Sequence, residues 1–148
     1  MKTLFWFCKE LYIGNIIHSP KVKIKDVALE DIDVKESIMV WITVESKKDI
    51  DYFSEIELDL RFLCKRFNTK TVVIIPFAHL TNKVAGHDIS FNVIELLQKY
   101  ILDKGYVVKR ANFGSSKDLK FFSPSDAYQV VFRSYPLTGF EENFKIKR

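Results

Sequence analysis

The stretch Val72-Val73-Ile74-Ile75-Pro76-Phe77-Ala78-His79-Leu80 decides the fold class. Four β-branched apolar residues in a row read as a short buried strand, and a proline closes it. The strand delivers His79 to its C-terminal end, which in open α/β sheets faces the ligand crevice. Imidazole titrates near neutrality, so a histidine there can exchange protons or hydrogen bonds with a substrate. A core histidine held by a backbone carbonyl is the competing reading. The polar Thr81-Asn82-Lys83 that follows favours the crevice.

On both sides of this strand the apolar period becomes helical. Phe53, Ile56, Leu60, Leu63, Cys64 and Phe67 fall at the spacing of one helix face, predicting a helix over residues 50–67 that Asn68 stops. A second helix is predicted over residues 89–104, with Val93, Leu96, Leu97, Tyr100 and Ile101 on one face. Asp88 is its expected N-cap and Gly105 its C′ residue. Strands are expected at residues 2–8, 22–27, 38–44, 71–77, 106–111, 119–122 and 128–135. Residues 9–21 read as irregular with a turn near His18-Ser19-Pro20, residues 30–36 as a charged loop, and Ser123-Pro124-Ser125-Asp126 as a turn. Strands flanked by two main helices and followed by more strands make a single-domain α/β or α+β layer.

The bulk numbers agree. A chain of 148 residues, 47% hydrophobic and 28% charged, fits one globular domain with a real core. No apolar run approaches the roughly 18–20 residues of a membrane span. The apolar run in Met1-Lys2-Thr3-Leu4-Phe5-Trp6-Phe7-Cys8 is short and broken by Lys9 and Glu10, which favours a first strand over a signal peptide. Cys8 and Cys64 sit in apolar contexts and read as two buried thiols of a reducing compartment, so the expected location is cytoplasmic. The net charge of +4 permits a nucleic-acid partner without demanding one. Basic residues gather after Lys99, where a solvated face and a phosphate-contacting surface are both open readings.

His18, His79 and His87 show no zinc-site spacing, and there is no Cys-x-x-Cys, so neither a metal nor any other cofactor is expected. Gly-x-Gly-x-x-Gly, the Walker lysine loop and the Gly-x-Ser-x-Gly elbow are all missing. Lys117 follows Gly114-Ser115-Ser116, where glycine lets the backbone approach a ligand. A plain surface lysine at a strand start is the competing reading.

Two motifs carry a resemblance. Pro76-Phe77-Ala78-His79-Leu80-Thr81-Asn82 and Arg110-Ala111-Asn112-Phe113-Gly114-Ser115-Ser116-Lys117 resemble those of the N-terminal editing domain of archaeal threonyl-tRNA synthetases. That family has the D-aminoacyl-tRNA deacylase-like fold, with mixed β-sheet layers. Its motifs run Pro-(Phe/Tyr)-Ala-His-Leu-Ser-Ser and Arg/Lys-Ala-Pro-Phe-Gly-x-Tyr-Lys, and the order of elements agrees from Met1 to about Arg133. Residues 1–136 would then be an editing-type domain and residues 137–148 a tail or the start of a linker. Three of this sequence's departures from the family are serious. Ser116 replaces the tyrosine before the lysine, Phe7-Cys8-Lys9 replace a His-Ser-Asp, and Val130 falls on a glutamate of the pocket.

The resemblance implies an aminoacyl-tRNA ester hydrolase that removes serine from mischarged Ser-tRNA(Thr). One missing methylene gives a synthetase only about 1–3 kcal/mol of discrimination, so a second site must hydrolyse the error. On that basis Pro76, Phe77, Ala78, Phe113, Gly114 and Ser116 would bind the serine. Lys117 and His79 would be catalytic, Lys117 as a positive donor orienting the ribose and His79 positioning the terminal nucleotide or the water. The terminal 2′-hydroxyl of the tRNA would help to activate that water, which requires RNA. Arg110, Lys120 and Arg133 would contact the tRNA. The implied partners are the acceptor end of tRNA(Thr), a synthetase catalytic region in cis or trans, and a second copy in a homodimer, with neither DNA nor a membrane involved. Two alternatives stand beside this: a catalytically degenerate homologue that binds tRNA or a synthetase, and a D-aminoacyl-tRNA deacylase.

Overall fold

Val72, Val73, Ile74 and Ile75 are all buried, and they bury on alternate faces of one mixed sheet. The computed structural model describes residues 1–26 and 30–137. Along these the elements are β1 (Lys2–His18), β2 (Ile32–Thr43), a short 3-10 helix (Lys47–Tyr52), α1 (Phe53–Arg66) and β3 (Thr71–Pro76). They continue with α2 (His87–Asp103), β4 (Val107–Arg110), β5 (Ser115–Phe122) and β6 (Val130–Ser134). The strand order is β4-β3-β2-β1-β5, with β6 also on β1. β2, β3 and β4 run parallel, each reached from the one before through a helix, whereas β1, β5 and β6 add antiparallel pairs. β1 is long enough to serve two partners: Lys2 to Trp6 pair with β6, and Glu10 to His18 with β5.

Both helices cover the same face. Ile56, Leu60 and Leu63 of α1 share one core cluster with Val93, Leu97 and Ile101 of α2 and with Phe5, Ile38, Val40, Val72 and Ile74 of the sheet. The opposite face closes over Cys8, Leu11, Ile13, Met39, Val73 and Ile75, flanked by Trp6, Trp41 and Phe121. Cys8 and Cys64 therefore belong to different clusters as buried free thiols, and burial pushes each up to about 12. Among the described residues no helix is long and apolar enough to cross a membrane.

The expected single-domain mixed α/β layer with two main helices is the one observed. Several local expectations change. Residues 9–18 are not irregular but continue β1, and residues 32–36 are not loop but the start of β2. Leu11, Ile13 and Ile32 are buried beside exposed neighbours, but the charged Lys9-Glu10, Asp33 and Lys35-Glu36 around them dilute the pattern of a half-buried ladder. Conversely, residues 22–26 are not a strand, although Val22 and Ile24 do turn inward, and Val27 lies outside the described residues. β5 starts at Ser115 rather than at residue 119. Gly86, not Asp88, is the N-cap of α2, and Leu96 is exposed while Ile94 takes its place in the core. Asn68 and Gly105 do end their helices with positive φ, 50° and 96°. The tail proposed for residues 137–148 lies outside the described residues beyond Leu137.

Candidate functional site

Because β2, β3 and β4 are parallel, their C-terminal ends open on one side, where a crevice is expected. A cavity of about 850 Å³ lies there. One wall is the segment after β3, Pro76 to His79; the facing wall is Phe113 to Lys117, running from the end of β4 into β5. Trp41, Ile42, Ile75 and Ile94 form an apolar floor, and Val84 to His87 bring in the N-terminus of α2. The two motifs, about 30 residues apart in sequence by their numbering, meet across one cavity.

The first wall is held by backbone and one threonine. The Phe77 N–H donates to Ile42 O at 2.9 Å, Thr43 Oγ1 donates to Phe77 O at 2.8 Å, and the Leu80 N–H donates back to Thr43 Oγ1 at 3.3 Å. Ala78 and His79 are left exposed. The His79 ring meets Phe77 edge-on at 5.1 Å, and Phe77 meets Trp41 edge-on at 5.0 Å, giving an aromatic row down one side.

The second wall is held by a buried carboxylate. Asp26, with a side chain 1% exposed, forms a bidentate pair with Arg110, with Arg110 Nη2 at 3.0 Å from Oδ1. Its Oδ2 also accepts the Phe113 N–H at 2.9 Å, and its backbone carbonyl accepts Asn112 Nδ2 at 3.3 Å. Gly114, at φ 70°, then turns the chain into β5 beneath Val22, where the Ser19 N–H donates to Gly114 O at 2.8 Å. A Cβ on Gly114 would come within 2.5 Å of Val22 Cγ1. Lys117 lines the cavity with its ammonium on Ser115 O at 3.2 Å, and desolvation lowers its pKa from the usual 10.5. A half-buried cation beside an apolar hollow is suited to meet a negative oxygen that develops on a ligand.

All eight residues expected to bind or catalyse line this cavity: Pro76, Phe77, Ala78, His79, Phe113, Gly114, Ser116 and Lys117. The three expected tRNA contacts do not. Arg110 is the partner of Asp26, and its guanidinium also lies over Phe91 at 5.6 Å. Arg133, 4% exposed, faces the fully buried Asp59 at 3.6 Å, and Tyr135 donates to the same carboxylate at 2.6 Å. Both arginines thus neutralise interior carboxylates instead of facing solvent, as a buried charge must be paired. Lys120 is exposed on β5 opposite Tyr12, outside the cavity. The family departures also sort themselves spatially. Phe7 stacks on Phe67 at 4.1 Å in the core, Val130 sits on β6 beside Trp6, and neither lines the cavity; Ser116 does. Gln129, next to Val130, donates to Ser123 O at 2.9 Å.

The sequence reading missed His87, Trp41, Ser19, Val22 and Asp26. His87 opens α2 and faces Phe113 edge-on at 6.2 Å. Asp26 was legible only as a single acid after three lysines, and nothing local pairs it with Arg110.

This mixed α/β sheet, with its cavity at the parallel strands' C-terminal ends between a histidine-bearing and a Phe-Gly/lysine wall, is of the D-aminoacyl-tRNA deacylase-like fold. The family described as the archaea-specific editing domain of threonyl-tRNA synthetase matches residues 1–134, and the chain belongs to it. It is 27% identical over 120 residues to a threonine-tRNA ligase of Thermococcus kodakarensis, covering 71% of this chain and 19% of the relative. It is 30% identical over 90 residues to a threonine-tRNA ligase editing subunit of Saccharolobus solfataricus, covering 61% of this chain and 23% of that one. The chain thus spans about a fifth of the length of the curated relatives it matches. Among solved structures, a c-Myc DNA unwinding element binding protein shares the fold at TM-score 0.66 and 10% identity, over 93% of this chain and 100% of that one.

Proposed function

We propose that this domain hydrolyses the ester of mischarged Ser-tRNA(Thr), proofreading for a threonyl-tRNA synthetase. The observation that carries the reading is the meeting of both family motifs across one cavity, with Lys117 half-buried at its edge. The terminal adenosine and its seryl group enter between the two walls. Backbone at Pro76 to Ala78 and at Phe113-Gly114 grips the amino acid, with Ser116 beside it. Water adds to the ester carbonyl to give a tetrahedral oxyanion, whose collapse breaks the bond between the acyl carbon and the ribose oxygen. That oxygen leaves with a proton taken from the attacking water, and serine is released as its carboxylate. Lys117 stabilises the oxyanion and orients the ribose, His79 positions the terminal nucleotide or the water, and the terminal 2′-hydroxyl helps to activate that water. Such a site needs no side-chain base, only donors aimed at the developing charge.

The acceptor end of tRNA(Thr) and a synthetase catalytic region, in cis or in trans, are the partners of this reading, in the cytoplasm. Lys120 remains its exposed candidate for tRNA contact. A homodimer through the sheet belongs to it too, where Val130 and Phe132 stand exposed on β6. A second reading, a degenerate homologue that binds tRNA or a synthetase without hydrolysis, draws on Ser116 standing in the cavity where the family has a tyrosine. Side-by-side hydrolysis of Ser-tRNA(Thr) and Thr-tRNA(Thr) by the purified protein decides between them. Selective loss of serine supports editing; survival of both esters at high protein concentration supports the degenerate reading. Hydrolysis of D-aminoacyl esters instead would point to the third alternative.

A further inference from the structure

With Arg110 and Arg133 buried, the charge that meets an incoming RNA must come from elsewhere, and one segment offers it at the cavity's rim. Between β1 and β2 the chain runs Ser19-Pro20-Lys21-Val22-Lys23-Ile24-Lys25-Asp26. Val22 and Ile24 turn inward against the core, Val22 lining the cavity, while Lys21, Lys23 and Lys25 are all exposed. The segment is tied at both ends to the Phe113-Gly114 wall, by Ser19 N–H to Gly114 O and by Asp26 to Arg110 and the Phe113 N–H. Its one acid, Asp26, is turned inward and neutralised. Among the described residues no salt bridge includes any of these lysines.

We propose that Lys21, Lys23 and Lys25 form a phosphate rail for the single-stranded 3′ end of an RNA whose terminal residue occupies the cavity. The proposal rests on the editing reading for the occupant of the cavity, while the rail itself stands on geometry. Alternating burial fixes three ammonium groups on one side of a strap that lies directly over Gly114. Three exposed cations tethered at the mouth of an apolar hollow, without an ion pair among the described residues, suit a ligand whose end is buried and whose following phosphates are not. Backbone contacts of this kind carry affinity without sequence preference and release counterions, so binding weakens as salt rises.

The molecule contains its own control. A second cleft of about 600 Å³ carries Lys65, Lys70 and Lys104 beside Glu57 and Tyr106. His87 lines the first cavity and Lys104 the second, and the 17 residues of α2 separate them by roughly 25 Å. These lysines stand where helix C-termini converge and complement the negative ends of the helix dipoles, which disfavours a phosphate there.

The test is fluorescence anisotropy with a labelled single-stranded oligoribonucleotide ending in CCA, titrated across salt. For single strands each neutralised phosphate contributes about 0.7 to the slope of log K against log salt, so removing three contacts lowers it by about 2. The variant Lys21→Gln/Lys23→Gln/Lys25→Gln is expected to lose that slope. Lys65→Gln/Lys70→Gln/Lys104→Gln, equal in charge change, is expected to keep it. An unchanged slope in the first variant, an equal loss in both, or no RNA binding near 50 mM salt overturns the rail. Hydrolysis of the seryl ester is scored separately. A slope lost by the rail variant of a protein that never hydrolyses the ester leaves the rail standing and removes the editing enzyme. Hydrolysis with an unchanged slope does the reverse.

Discussion

The two walls of the cavity are built on different principles. The wall from Pro76 to Leu80 hangs from neutral hydrogen bonds, two of them made by the single hydroxyl of Thr43. The wall from Arg110 to Lys117 is bolted by a charge pair in which both side chains are under 10% exposed, and by a glycine pressed beneath Val22. Neutral bonds net about 0.5–1.5 kcal/mol each, whereas removing one member of a buried ion pair leaves an uncompensated charge and costs about 3–5 kcal/mol. By these contacts the wall carrying the positive charge is the more rigidly held, and the wall carrying the histidine the more adjustable.

The largest expected effect falls on chemistry. Lys117→Ala should reduce hydrolysis of Ser-tRNA(Thr) by about 10²–10³-fold, the range for loss of one oxyanion donor, with thermal stability kept. Single-turnover assays and a melting curve check this, and unchanged activity removes Lys117 from the mechanism. The ammonium is the useful form, and burial lowers its pKa. Enzymatic activity should therefore fall as pH rises, with a midpoint below 10.5, once spontaneous ester loss is subtracted. Lys117→Arg, which stays charged, should move that limb upward.

Next comes the bolt itself. Asp26→Ala strands Arg110, 7% exposed, and should cost about 3–5 kcal/mol in denaturant unfolding. Asp26→Leu combined with Arg110→Met should recover part of the loss, because an apolar pair replaces a charge pair, while the Phe113 N–H, left without its acceptor, keeps a cost of about 1–3 kcal/mol. A loss below about 1 kcal/mol in the single variant would mean that the second wall is no more firmly built than the first.

These contrasts show what the sequence could and could not disclose. Val72 to Ile75, the stripe from Phe53 to Phe67 and the Asn68 and Gly105 stops were legible, since each depends on neighbours within a turn or a strand. The eight cavity residues were legible through the two motifs. The bolt was not, because Asp26 and Arg110 are 84 positions apart and only the fold joins them. Arg133 was misplaced for the same reason: the resemblance offers it to the tRNA, and only the fold puts Asp59 behind it. The strap at residues 22–26 has a strand's alternation without a ladder partner, as periodicity reports burial and not pairing.

Gly114→Ala sharpens the comparison at a finer scale. The residue adopts φ 70°, a region costly for a side chain, and its Cβ would meet two further Val22 atoms at 2.8 and 3.0 Å. A destabilisation of about 1–3 kcal/mol is expected, with weakened substrate binding. Adding Val22→Ala removes the Cγ contacts at 2.5 and 3.0 Å but keeps the Cβ at 2.8 Å, so it should relieve part of the collision and leave the backbone term. If the double variant is no more stable than the single one, the strap is not pressed on the glycine.

The smallest expected effect tests the adjustable wall. Thr43→Val keeps the shape of the side chain and deletes its hydroxyl, so Phe77 O loses a donor and the Leu80 N–H an acceptor. The segment after β3 borders open solvent at Ala78 and His79, and water can replace part of what is lost. The cost should therefore stay near 1 kcal/mol, about 2–4 °C in melting temperature for a chain of this size. Catalysis should respond differently. The bonds hold the backbone that leads into His79, so the variant should show a raised KM for Ser-tRNA(Thr) with kcat little changed, as expected when contacts made equally to the bound ester and to its transition state are weakened while Lys117 is untouched. A fall in kcat with KM unchanged would instead assign the first wall to the chemical step, and the division between a rigid wall that reacts and an adjustable wall that positions would be wrong.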